Sequence, residues 1–289
     1  MTKGLLSIQL SSGPRRGGLW VLWYLYGVLG LWALVIVYFF VTSPPSIRFI
    51  ALLGFMPWIP SMIAVLLIRA YYRGQPVLEF TDSAVAFRWR IAPCEVPWRD
   101  ATGLFLPAKF GAIKAKAFPR VLILKTDHVI EPSAFGRVGT VIALQPGGGV
   151  SLTTEIQYLT EFIGRAPARI VDPEVLLLLG LALRLANQHL PSLDPADTAV
   201  RELLQHPTPV TAAITAPFEY FLGNVEKARA QCLAGLKAEP NAWELLLCRA
   251  LCERALGDGA SAGASMTVAA AADSPSEVAP VLAHAAGSE

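Results

Sequence analysis

EVLLLLGLALRLA, residues 174–186, is the stretch on which the fold of this chain turns. Val175, Leu178, Leu179, Ala182 and Leu185 recur at helical spacing, and Leu176, Leu177, Leu181 and Leu183 make the other faces apolar too. A helix that is apolar all round belongs in a bilayer or inside a protein core. Crossing ~30 Å of hydrocarbon takes about 20 residues. This stretch has thirteen, opens on Glu174 and contains Arg184. The spacing therefore predicts a helix buried on most sides by its own chain, and not a membrane span.

Upstream lie two longer uncharged runs, GLWVLWYLYGVLGLWALVIVYFFV (18–41) and FIALLGFMPWIPSMIAVLLI (49–68). Both meet the length of a span. The first is too long for a signal peptide's apolar region, and no small-residue cleavage pattern follows it. Lys3, Arg15 and Arg16 precede the first run and Arg69 and Arg73 follow the second, while the TSPPSIR connection carries only Arg48. The bias in basic flanks predicts both termini on the cytoplasmic side. Aromatic residues cluster at both ends of the first run, as in interfacial belts. Pro57 and Pro60 predict a kink in the second. The expectation is a cytoplasmic segment over 1–17 and a transmembrane helical hairpin over 18–70.

The chain has 289 residues, 54% hydrophobic and 16% charged, with a net charge of +2. That balance hides an asymmetry. Residues 69–125 hold ten Lys/Arg against four Asp/Glu, and residues 170–289 hold seven against fourteen. Different partners are implied for a basic middle and an acidic C-terminal region, with no nucleic-acid footprint. The four cysteines, Cys94, Cys232, Cys248 and Cys252, show no disulfide framework and read as free thiols.

After residue 73 the period changes. VLEFT (77–81), AVAFRW (84–89), CEVPW (94–98), GLFLP (103–107), RVLILKT (120–126) and TVIALQ (140–145) read as short antiparallel strands. PGGG then breaks the chain, and Ser151 is placed to cap a helix whose Leu152, Ile156, Leu159, Phe162 and Ile163 share one face. Strands closed by a C-terminal helix are the plan of pleckstrin-homology-like domains. The openings PVLEFTDSAVAFRWR and VPWRDATGLFL, with Pro97-Trp98-Arg99-Asp100 leading into the next strand, resemble bacterial membrane-anchored members of that group over residues 75–166. The resemblance implies a bacterial inner (cytoplasmic) membrane protein with a basic surface against anionic headgroups. Candidate lipid-contact residues are Arg88, Arg90, Lys109, Lys114, Lys116 and Arg120.

Residues 170–273 read as helical. Within them TPVTAAITAPFEYFLGNVEKARAQCLAGLKAEPNAWELLLCRALCERALGD resembles tetratricopeptide repeats: Ala216, Gly223-Asn224, Ala228, Gly235 and Pro240 match one unit. Gly257-Asp258 and Ala262 follow Gly223-Asn224 and Ala228 by one repeat period, which is about 34 residues in that family. Ala212 replaces the family's large aromatic, and the sequence after Asp258 decays into Ala, Ser and Gly. About two units are visible, with the helices at 172–206 available to complete the packing. The resemblance implies a protein partner held in a concave groove. Residues 274–289 are Ala-, Ser- and Pro-rich and are expected to be weakly ordered.

No catalytic constellation emerges. Gly259-Ala260-Ser261-Ala262-Gly263 fits a nucleophile-elbow pattern, but a helix precedes it where a strand is required. Cys248 and Cys252 share a helix face without a histidine to complete a metal site, and read as two small buried side chains. The fold class expected from sequence is thus a membrane α-helical hairpin plus α+β: two transmembrane helices, a pleckstrin-like antiparallel sheet domain capped by a helix, and an all-α tetratricopeptide-like tail. The expected function is a membrane-anchored, non-enzymatic adaptor that needs no cofactor or metal. Its partners would be the lipid bilayer and a protein bound by its helical tail. The alternative is an anionic-lipid-sensing module.

Overall fold

The structure, a computed structural model, describes residues 6–9, 77–88, 94–106, 122–127, 141–144 and 151–287, with isolated positions between 27 and 62. The chain divides into two units, Met1–Leu10 with Val77–Arg88 and Pro93–Glu289, and Ser11–Pro76 with Trp89–Ala92; every element named below belongs to the first.

Strands β1 (Leu6–Gln9), β2 (Val77–Phe80), β3 (Ala84–Arg88) and β4 (Cys94–Pro97) form an antiparallel sheet in that order. Strands β5 (Ala101–Phe105), β6 (Leu122–Thr126) and β7 (Val141–Leu144) form a second. Helix α1 (Leu152–Arg165) starts where Ser151 accepts a hydrogen bond from the Thr154 amide at 3.3 Å. Its buried face, Leu152, Tyr158, Leu159, Phe162 and Ile163, meets the first sheet. The Phe162 ring stands edge-on to Phe80 and Trp98, with centroids 4.8 and 5.4 Å apart. The Trp98 indole, in a 3-10 turn after β4, donates to the Thr81 carbonyl at 3.0 Å. Arg165 ties the helix end to the β2–β3 turn, donating to the Phe80 carbonyl at 3.1 Å and Asp82 at 3.3 Å.

A short 3-10 turn, Ala168–Ile170, leads to Val171, which bridges Leu104 of β5 in parallel. The Asp172 amide then donates to the Leu104 carbonyl at 3.0 Å, while its side chain caps helix α2 (Pro173–Asn187) at the Glu174 amide, 3.1 Å away. Proline at the first helical position needs no donor there. In α2, Val175, Leu176, Leu177, Leu178, Leu179, Gly180, Leu181, Ala182 and Leu185 are buried, as the spacing predicts. The helix contacts α1 and β5 as well as α4 (Ala212–Phe221) and α6 (Trp243–Ala255), so one continuous apolar core runs from the strands into the helices. At Gly180 an added Cβ would lie 2.7 Å from Glu244 Cγ and 2.9 Å from the Trp243 ring, so α2 and α6 approach where α2 has no side chain. Arg184 fixes the same contact by donating to Glu244 at 3.0 Å and Glu239 at 2.8 Å.

The remaining elements are α3 (Thr198–Gln205), α5 (Val225–Leu236), α7 (Gly259–Ala271) and α8 (Ala279–Gly287). The segment expected to be weakly ordered from residue 274 contains α8, and this corrects the reading. Val281, Leu282 and Ala285 are buried, and the helix packs on the Ala168–Ile170 turn and α7. Strand β1 also goes beyond the sequence reading, since Leu6–Gln9 pairs with Val77–Phe80 in a segment expected to be a cytoplasmic tail.

The expected fold class needs a larger correction. Among the described residues no helix is long and apolar enough to cross a membrane. The longest is α2, with 15 residues, against the roughly 20 that a span requires. The architecture among the described residues is α+β, with eight α-helices and two small sheets. The described residues thus contain no transmembrane hairpin, and the multi-pass inner-membrane placement with cytoplasmic termini finds no support among them. The runs at 18–41 and 49–68, with the kink expected at Pro57 and Pro60, fall almost wholly outside the described residues. Of their isolated helical positions, Leu31, Leu34, Val37, Tyr38 and Val41 are exposed.

Two substitutions probe this core by urea unfolding. Leu181→Ala removes a fully buried side chain from α2 and is expected to cost about 2–5 kcal/mol, whereas Leu183→Ala, at a half-buried position, costs less. Among the described residues the buried Tyr158 hydroxyl finds no hydrogen-bond partner. An unsatisfied buried group costs about 1–3 kcal/mol, so Tyr158→Phe is expected to leave stability unchanged or raise it. A large loss would mean that the hydroxyl is satisfied.

Candidate functional site in the helical region

The candidate lipid-contact residues cannot be assembled into a site. Arg88 ends β3, paired with Val77 of β2, and Arg90, Lys109, Lys114, Lys116 and Arg120 lie outside the described residues.

The helical region has a regularity that extends beyond the two units read from sequence. His189, Gly223 and Gly257 carry φ of +55°, +87° and +84° and stand at equal intervals of one repeat period. Each follows the end of a helix, α2, α4 or α6, and each is bracketed by the same hydrogen bonds. The Leu190, Asn224 and Asp258 amides donate to the Leu185, Glu219 and Glu253 carbonyls at 2.9, 2.8 and 2.9 Å. The His189, Gly223 and Gly257 amides donate to Ala186, Tyr220 and Arg254 at 3.0, 3.0 and 3.1 Å. This paired pattern is the Schellman motif, which satisfies the last helical carbonyls and requires the left-handed conformation in its penultimate residue. Ala182, Ala216 and Ala250, at the same spacing, are all buried.

The small residues matched in the sequence serve close approach. Ala228 and Ala262 are buried on α5 and α7. At Gly235 an added Cβ would sit 2.6 Å from the Ala212 methyl and 2.8 Å from Leu245 Cδ1. That contact explains Ala212, because a large aromatic at that position would have no room beside α5. Two carboxylates one period apart, Glu219 and Glu253, are buried at 4% and 1% exposure. Glu219 accepts from Asn224 at 2.7 Å and Lys227, and Glu253 from Arg249 and the Ser265 hydroxyl, both at 2.7 Å. They anchor α5 and α7 to the helices before them. The concave groove implied by the tetratricopeptide resemblance is not open in this arrangement. Helix α2 contacts both α4 and α6, and every α4 residue from Ala212 to Glu219 is buried.

Three thiols meet between α5 and α6. Cys232 comes from α5 and Cys248 and Cys252 from α6; all three are free and fully buried, and each shifts the others' titration. The shifts are unequal. Cys232 and Cys248, with the positive charge of Arg229, bring the Cys252 thiol down to about 5 despite burial and the opposing charge of Glu253. Burial and the other two thiols hold Cys248 well above the ordinary thiol value. Cys248 pulls Cys232 down, but Cys252 and burial outweigh it. The expectation of two small buried side chains at Cys248 and Cys252 missed the third member, which lies on another helix. No group of three or more His, Cys, Asp or Glu among the described residues is arranged to hold a metal ion.

An open groove of about 510 Å³ lies between the C-terminal half of α1 and residues 276–281. Its lining cation, Arg165, is already committed to Glu161, Asp82 and the Phe80 carbonyl. No family model, no curated protein and no solved structure matches this chain.

Gly235→Ala is expected to destabilise the protein, because overpacking costs about 1–3 kcal/mol against roughly 1 kcal/mol gained in helix propensity. Gly259→Ala, where nothing lies within 4 Å of an added Cβ, is expected to be neutral or stabilising. The Cys252 thiolate predicts a 240 nm absorbance, taken as wild type minus Cys252→Ser, that persists below the ordinary thiol value of about 8.5 and disappears near pH 5. Because the folded-state value is depressed, its contribution to stability is full above the ordinary value and is lost as pH falls through about 5.

Proposed function

We propose that this chain is a non-enzymatic adaptor that binds a protein partner through its helical region, residues 173–287. The observation that carries the reading is the left-handed turn repeated once per period at His189, Gly223 and Gly257, with helices packed on either side of the last two. Period and turn together support a tetratricopeptide-like array, a class of helical scaffold that offers extended surfaces to other proteins. Because α2 lies against α4 and α6, the surface offered is on the outer helices. Helix α5 exposes Glu226, Lys227, Ala230, Leu233 and Ala234, and α7 exposes Ala260, Ala264, Thr267 and Val268. The α7 face has no charge, and Val268 is 51% exposed. An apolar, uncharged helix face on an otherwise acidic region suits a partner with a matching apolar strip.

The test uses the full chain as bait in crosslinking from cell extract, beside a Leu233→Arg/Val268→Arg variant. Both positions are exposed, so the variant is expected to keep its melting temperature. The reading predicts at least one protein captured by the wild type and lost with the variant. An identical set of captured proteins for both would refute it.

A further inference from the structure

The groove between α1 and residues 276–281 is a feature that neither the repeated turns nor the α5 and α7 surface explains. Its lining carries two carboxylates, Glu161 and Glu277, against one guanidinium. Glu161 pairs with that guanidinium, Arg165, at 3.0 Å. Glu277 is left in excess, half-buried and, among the described residues, without an ion pair or hydrogen bond. The end of α1 adds to this negative character. A helix leaves its last carbonyls without internal donors, and they form the negative end of its dipole. The donor for the Ile163 carbonyl would be the amide of residue 167, which is proline and has none. The Ala166 amide turns back to the Phe162 carbonyl at 2.9 Å, and those of Ile170 and Val171 go to Pro167 and Ala168 at 3.0 and 3.3 Å. Among the described residues no donor reaches the carbonyls of Ile163 and Gly164, and both residues line the groove. A Cβ added at Gly164 would lie 3.3 Å from Glu277 Cγ, so the Glu277 side chain packs directly against this helix end.

We propose that this groove binds a small organic ammonium ion, a protonated primary amine on a short aliphatic stem. The class of ligand follows from the lining. An ammonium group offers three donors and no acceptor. The groove offers the Glu277 carboxylate beside the two carbonyls that lack donors, and the Thr160 and Ser276 hydroxyls extend that set of acceptors. Hydrogen bonds to a charged partner are the stronger kind. A guanidinium suits the groove less, because its planar fork matches one bidentate carboxylate and the acceptors here come from separate groups. The stem has an apolar floor in Ile163 and Val281, each 2% exposed. The volume of about 510 Å³ lies within the roughly 300–1,000 Å³ of small-molecule sites. A bound amine bridges α1, which packs on the first sheet, and the segment leading into α8, which packs on α7. The site is separate from the α5 and α7 surface, and its test does not depend on the adaptor reading.

The full-length protein, isotope-labelled for nuclear magnetic resonance, is titrated with n-butylammonium at constant ionic strength. Two further probes remove one property each: n-butanol lacks the charge, and tetramethylammonium lacks the N–H donors. The expected result is saturable amide shifts confined to residues 160–168 and 276–281 for n-butylammonium, none that saturate for n-butanol, and clearly weaker binding for tetramethylammonium. Glu277→Gln keeps the side-chain volume and the melting temperature, and is expected to weaken n-butylammonium about tenfold, the loss of one hydrogen bond to a charged group. Glu202→Gln, at an exposed position on α3, leaves the affinity unchanged. Nα-acetyl-lysinamide separates two sources of the same group. Tighter binding than n-butylammonium assigns the groove to a lysine side chain of a polypeptide, and equal or weaker binding assigns it to a free amine. Absence of saturable shifts with n-butylammonium would overturn the proposal. So would equal binding of n-butanol or tetramethylammonium, or full affinity in Glu277→Gln.

Discussion

Burial of α2 is the constraint on which the rest of this structure depends. Its Leu176, Leu177, Leu181 and Leu185 are wholly excluded from solvent, and each such side chain contributes about 1.5–3 kcal/mol when fully buried. No single neighbour covers all of its faces. The helix therefore requires the sheets with α1 and the α4–α6 helices at once, which makes them one packed unit. The polar groups at its ends reinforce that demand: Glu174 accepts from the Tyr220 hydroxyl at 2.7 Å near the start, and Arg184 reaches Glu239 and Glu244 near the end.

The same helix limits what the repeated turns and helices can offer as a surface. In an open solenoid the inner helices line a groove. In this chain α2 lies against them, and the helix after it, α3, buries only Val200. The first turn of the series is thus present without a paired-helix unit behind it. The groove's role passes to helix–helix cohesion, and the outer helices are left as surface.

Much of this was legible in the sequence, for reasons that residues make plain. The 174–186 stretch, apolar on every face but for Glu174 and Arg184, was too short for a bilayer and read as a core helix. Ser151 announced α1, and alternation located six of the seven strands closely. What escaped notice depends on distance or disguise. The first turn of the repeating series is occupied by His189, so the glycine that marks the other two is missing. Cys232 lies on a different helix from the cysteines it meets, beyond any local spacing rule. Strand β1 is short, and its partner Val77–Phe80 lies far along the chain from Leu6–Gln9. Helix α8 is written in alanine and small residues, and only Val281 and Leu282 signal its buried face. The transmembrane hairpin was read from length, hydropathy and basic flanks, and no described helix reaches the required span.

Native-state hydrogen exchange on the full chain tests the shared core most directly. If α2 unites the sheets with the helical array, its amides from Leu176 to Leu185 exchange among the slowest, and those of α1, α4 and α6 open with them at a common free energy. Rapid exchange along α2, or opening of α4 and α6 as a unit separate from α1 and the strands, would contradict the account.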